Sequence, residues 1–131
     1  MRRVNVGGGT AGSKIKFWLA GGGLGRWFGR TMLIHTVLFY LRPDLTDAQK
    51  LEFRNEGLES LRPISCVKQY FVGVPAGIPP RPVVDLSFTF SITAIFDDVA
   101  GHNEYQVHPT HKAFVERFKS YWTKVQIYDA E

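Results

Sequence analysis

Leu33-Ile34-His35-Thr36-Val37-Leu38-Phe39-Tyr40-Leu41 is the stretch on which the reading of this chain turns. Its side chains are mostly aliphatic, β-branched or aromatic, apolar on both faces, with one imidazole among them. Such a run reads as a strand buried on both sides. Arg42-Pro43-Asp44 breaks it. Thr46-Asp47-Ala48-Gln49 then forms a capping box, in which the Thr hydroxyl takes the amide three residues on and Gln49 reaches back. The spacing predicts a helix to about Leu61, with Ala48, Leu51, Leu58 and Leu61 inward and Lys50, Glu52, Arg54 and Glu56 largely opposite. Pro63 ends it.

Working onward, a second strand is predicted from about Ile64 to Val72. Four prolines and two glycines between Gly73 and Pro82 make a loop with no element of its own. A third strand from Leu86 to Phe96 puts Phe88, Phe90, Ile92, Ala94 and Phe96 on one face. Asp97-Asp98 caps a short helix to about Tyr105. Pro109 punctuates, Thr110 to Trp122 is helical, and Val125 to Tyr128 closes with a short strand. The order β-α-β-β-α-β is the ferredoxin-like α+β plan, with helices on one face of an antiparallel sheet. Strands one and three nonetheless carry apolar residues on both faces. A second copy of the chain, sheet against sheet, is the simplest cover, so a homodimer is expected.

Working back towards Met1, the character of the chain changes. Residues 1–31 hold nine of the 13 glycines and six basic residues with no acid, including the twin Arg2-Arg3. Such a segment orders at high entropic cost and predicts a flexible, dispensable arm, or an extension ahead of a start at Met32. Its only apolar stretch, Phe17-Trp18-Leu19-Ala20, is too short for an export signal. Phe17, Trp18, Trp27 and Phe28 leave open docking of its rings on the domain or a partner. The Gly-rich run around Gly21–Gly25 lacks the preceding strand and following Lys-Ser/Thr of a phosphate loop. Residues 32–131, the folded domain, carry 10 Lys and Arg against 12 Asp and Glu. The formal charge of +4 therefore belongs to the arm, and the domain has no reason to seek nucleic acid. With 131 residues the chain is one domain's worth. A single cysteine, Cys66, excludes an intramolecular disulfide and any multi-cysteine zinc site. No apolar run reaches the roughly 18 residues of a membrane span. A cytoplasmic protein without membrane contact is expected.

Three of the four histidines are placed suggestively. His35 shares a strand face with Val37, Phe39 and Leu41. In His108-Pro109-Thr110-His111, helical spacing sets His111 on the side of Phe114, Val115, Phe118 and Trp122, where burial favours a neutral ring. His108 could equally cap a helix, and His35 could be a structural hydrogen-bonder. His102, in a polar stretch, is expected to be solvated. Tyr105 lies three residues before His108 and offers a phenol to the same region. A metal site from His35, His108 and His111 is conceivable in residue type. The His-x-x-His spacing lacks the glutamate of a zincin, however, and no metal is expected. Cys66 reads as a small apolar side chain.

Ile34-His35-Thr36-Val37-Leu38-Phe39, the capped helix from Thr46, and Tyr105-Gln106-Val107-His108-Pro109-Thr110-His111-Lys112-Ala113-Phe114-Val115 together resemble the stress-responsive α/β-barrel (Dabb) family. The resemblance covers residues 32 to about 129, and His108-Pro-x-His111 with Ala113-Phe114 is its most specific piece. It implies a dimeric α+β barrel whose sheets close around an interior cavity, with no cofactor. A characterised cyclase branch of the family uses histidine and tyrosine in the cavity without a cofactor. Three of its pocket positions are matched by His35, Tyr105 and His111. Phe90 stands where that branch has a further histidine, and Gly57 where it has a tyrosine. The resemblance thus implies His35, Tyr105 and His111 as acid–base groups, with Val37, Phe90 and His108 as further ligand contacts. The functions open to the chain are a binder of a small apolar, aromatic or polyketide-like molecule, a cofactor-free cyclase, lyase or isomerase, and a structural stress-related oligomer.

Overall fold

The computed structural model describes residues 32–131, so the reading of residues 1–31 as a flexible arm lies outside the described residues. Chain order is β1 (Leu33–Leu41), α1 (Asp47–Glu52), β2 (Gln69–Gly73), β3 (Phe90–Phe96), α2 (Val99–Val107), α3 (Pro109–Phe118) and β4 (Trp122–Ala130). The strands form one antiparallel sheet in the order β2-β3-β1-β4. This is the ferredoxin-like α+β plan.

The Thr46 capping box forms as the sequence requires: Gln49 N–H donates to Thr46 Oγ1 at 3.2 Å, and Thr46 N–H to Gln49 Oε1 at 2.9 Å. From α1 the chain stays helical, widening into a π turn over Phe53–Gly57 and tightening into a 3₁₀ turn over Leu58–Leu61. Its buried face is Phe53, Gly57, Leu58 and Leu61. Ala48 and Leu51, expected inward, are exposed. Phe53 is the largest apolar group in the segment, and burying it turns that face outward.

The second and third strands are shorter than expected. Residues 64–67 fold as a turn, with Val67 N–H donating to Ile64 O, which sinks Ile64 and Cys66 into the core before pairing begins at Lys68. Ahead of β3, Asp85 accepts from the Ser87 amide at 2.8 Å and closes a local turn. The Thr89 hydroxyl then caps the Leu41 N–H at 3.0 Å in place of a ladder carbonyl. At the far end the helix predicted to Trp122 stops at Phe118, and Trp122 instead opens a nine-residue β4. An extended last strand supplies the edge partner that β1 needs along nearly its whole length.

Register decides what meets beneath the helices. His35 stands opposite Ala94 on β3 and Asp129 on β4; Val37 stands opposite Ile92 and Ile127; Phe39 opposite Phe90 and Val125. These inner rows face the helices. Phe39, Phe53, Phe114 and Phe118 join there, with Phe39–Phe53 and Phe53–Phe118 centroids 5.3 and 5.5 Å apart, both edge-on. Gly57 lets these rings approach its backbone: a Cβ there would lie 3.0 Å from Phe118 and 3.2 Å from Phe114. A side chain at this position would have to push those rings back.

The outer face of the sheet is mixed rather than uniformly apolar. On β1 it presents Ile34, Thr36, Leu38 and Tyr40, partly exposed. On β3 it presents Ser91, Thr93 and Ile95, so the expectation of two apolar faces holds for the first strand and not the third.

Candidate functional site

Each site residue is held by its own element. The alternation of β1 turns His35 inward with Val37 and Phe39, leaving it 2% exposed. The Asp98 side chain caps α2 by accepting from the Gly101 amide at 2.8 Å. Two turns on, that helix buries Tyr105 under the sheet. His108 caps α3, its Nδ1 accepting from the Thr110 amide at 3.1 Å, with Pro109 in the first turn. This fixes the helix so that His111 comes back over Tyr105, ring centroids 4.6 Å apart. Tyr105 in turn lies 6.0 Å from the His35 ring.

Between these residues and the sheet is a cavity of about 130 Å³. His35, Val37, Tyr105 and His111 line it, together with apolar groups from β3, β4 and α3 including Ile92, Phe114, Trp122 and Ile127. It lies within one chain, between sheet and helices. Two of the six expected contacts do not line it. His108 is consumed as a helix cap, and Phe90 packs on Phe53 with centroids 5.9 Å apart.

Asp129 is the residue that sequence reasoning missed. Its Oδ1 lies 2.6 Å from His35 Nδ1, and its side chain is 44% exposed against 3% for the imidazole. The available signal was a lone acid near the end of an edge strand, meaningful only once the register is known. His102, expected to be solvated, is half-buried instead. Its ring sits 4.8 Å from His35 and 5.4 Å from Phe96, and its Nε2 is 3.2 Å from the Gln106 amide nitrogen.

Burial lowers the His35 pKa below the ordinary imidazole value, against the upward pull of the Asp129 hydrogen bond. The neutral ring therefore donates its Nδ1–H to Asp129 and keeps a lone pair on Nε2. His111 is likewise lowered, chiefly by burial, with its bond to the Gln106 carbonyl opposing. Burial raises Tyr105, which stays a protonated phenol. Two neutral imidazoles and a phenol facing an apolar cavity can exchange protons with a bound molecule and hydrogen-bond an oxygen on it. Among the described residues, the group with metal-ligand chemistry is His35, His102 and Asp129, not the His35, His108 and His111 set weighed from sequence.

Comparison with known proteins agrees with this fold. Olivetolic acid cyclase of Cannabis sativa is 24% identical over 95 residues, spanning 72% of this chain and 91% of that protein. A Dabb family protein of ferredoxin-like fold from Mesorhizobium loti is 26% identical, with a TM-score of 0.63 over 76% of this chain and 95% of that one. A dimeric protein of unknown function and ferredoxin-like fold from Bacteroides fragilis is 25% identical, with a TM-score of 0.60 over 76% and 95% of the two chains. Residues 33–131, which contain every strand and helix described, match the family described as the stress responsive A/B barrel domain, and the chain belongs to that Dabb family.

Proposed function

We propose that the chain binds a small, largely apolar or aromatic molecule in the cavity over His35, Tyr105 and His111, and does so as a homodimer. The observation that carries this reading is a largely apolar cavity with the polar side chains of His35, Tyr105, Gln106 and His111 on its wall. An apolar hole of about 150 Å³ holds one benzene ring, so a cavity of about 130 Å³ has room for a single aromatic ring. The dimer reading is supported by the partly exposed apolar groups on the outer face of β1 and by the dimeric relative.

The test is calorimetric titration of simple phenols and aromatic ketones into the native chain, His111→Gln and Tyr105→Phe. Native binding, lost or weakened at least about tenfold in both variants with melting temperature nearly unchanged, is the expected result. Absence of binding to the native chain, or full binding by both variants, overturns the reading.

A second reading, proton-transfer catalysis without a cofactor, is favoured by one specific observation: the His35–Asp129 hydrogen bond, which sets a tautomer. Here neutral His111 removes a proton alpha to a carbonyl, and the Tyr105 hydroxyl stabilises the enolate oxygen. His35, its Nδ1–H engaged, serves through Nε2 as the second acceptor. The cyclase relative lends this reading support. Hydrogen–deuterium exchange alpha to the carbonyl of a bound aromatic ketone, slowed in His111→Gln, is its signature.

A further inference from the structure

We propose that His35, His102 and Asp129 form a binding site for a divalent first-row transition-metal ion. The three residues come from β1, α2 and β4, and one ligand-type atom from each lies within 4.8 Å of the other two. Neither His102 nor Asp129 lines the cavity, so the inference goes beyond the ligand reading and shares only His35 with it.

Two imidazoles and one carboxylate are ligands suited to zinc and its neighbours. Among the described residues Asp129 is paired with His35 and with no lysine or arginine, so its charge is not met by a fixed cation. The mobility of the three ligands differs usefully. His35 is buried in the central part of the sheet and provides a fixed point. Asp129 lies near the end of an edge strand with 44% of its side chain exposed, and His102 is half-buried on a helix surface. Ligand atoms around a tetrahedral zinc lie about 3.3 Å apart for bonds of about 2.0–2.1 Å. Reaching that spacing opens the 2.6 Å His35–Asp129 hydrogen bond, which the ion replaces, and draws the His102 ring inward from within 4.8 Å. Three protein ligands leave a coordination position for water or another small donor.

The experiment is titration of Co²⁺ into the full chain after EDTA removal, followed by visible absorption, with Zn²⁺ as competitor. Native protein, His102→Gln, Asp129→Asn and His108→Gln are compared, each checked by circular dichroism for its fold. One Co²⁺ per chain at micromolar concentration, displaced by Zn²⁺, is expected for the native protein and for His108→Gln. His102→Gln and Asp129→Asn should each bind at least about tenfold more weakly. Failure of the native chain to take up either ion overturns the site, as does undiminished binding by both variants. Phenol binding is scored separately on EDTA-treated protein, so loss of the metal site leaves the ligand reading standing, and the reverse.

Discussion

His35 and Asp129 illustrate how a residue's role can depend on a partner 94 positions away. Alone, a histidine in an apolar strand is a buried polar group in need of a bond; with Asp129 beside it, it has a defined tautomer and a free lone pair. Its burial, with that of His111, also has a consequence for stability. Both imidazoles titrate below their ordinary value of 6.5 in the folded chain. As pH falls below about 6.5, the unfolded chain takes up protons that the folded chain refuses, and stability declines towards the folded values. Above about 6.5 the full stability is present. Melting temperature measured in EDTA should therefore drop between about pH 7.5 and pH 5.5, a window above the carboxylate titrations. The drop should be shallower in His111→Gln. A flat profile for the native chain contradicts the burial of these rings.

At the level of elements, local chemistry was the readable part. The Thr46 capping box, the Asp98 cap and the Pro109 start all follow from residues within four positions of one another. What escaped was the choice of face and the length of each strand. Ala48 and Leu51 fit a helical spacing as well as Phe53 does, and only packing against the Phe39 and Phe118 rings selects Phe53. Likewise residues 64–67 and 86–89 have strand composition, yet turns and the Thr89 hydroxyl end the ladder early. One bond between elements is measurable. Tyr70 on β2 donates its hydroxyl to the buried Leu58 carbonyl at 2.7 Å, fastening the sheet to the turn after α1. Tyr70→Phe strands that carbonyl and should cost about 1–3 kcal/mol in urea unfolding. Thr46→Ala, which removes the cap of the same helix, should cost about 1 kcal/mol. A Tyr70→Phe protein as stable as the native one would show that the Leu58 carbonyl finds another donor.

For the molecule as a whole, the unresolved demand is the outer sheet face. Ile34, Leu38, Tyr40 and Ile95 lie there partly exposed, between Thr36, Ser91 and Thr93. Apolar surface of this kind is stabilised by removal from water, and a self-complementary sheet pair is one closed way to do it. Sedimentation equilibrium should find a dimer for the native chain and a folded monomer for Leu38→Glu, whose charge is placed in the middle of that face. A native chain that sediments as a monomer at micromolar concentration excludes the pairing.

The sequence by itself determined the order of elements, their caps and breaks, the two-sided character of β1 and the family, because each rests on contacts between near neighbours or on a contiguous pattern. It also named His35 and His111, each of which shares a face with apolar neighbours, and Tyr105 through the family resemblance. Only the tertiary structure decided that the cavity lies under the helices of one chain, that His108 and Phe90 are outside it, and that Asp129 and His102 gather at His35. Those outcomes depend on the β1–β4 register and on which large ring wins the space above Gly57, and both are settled by packing between residues far apart in the chain.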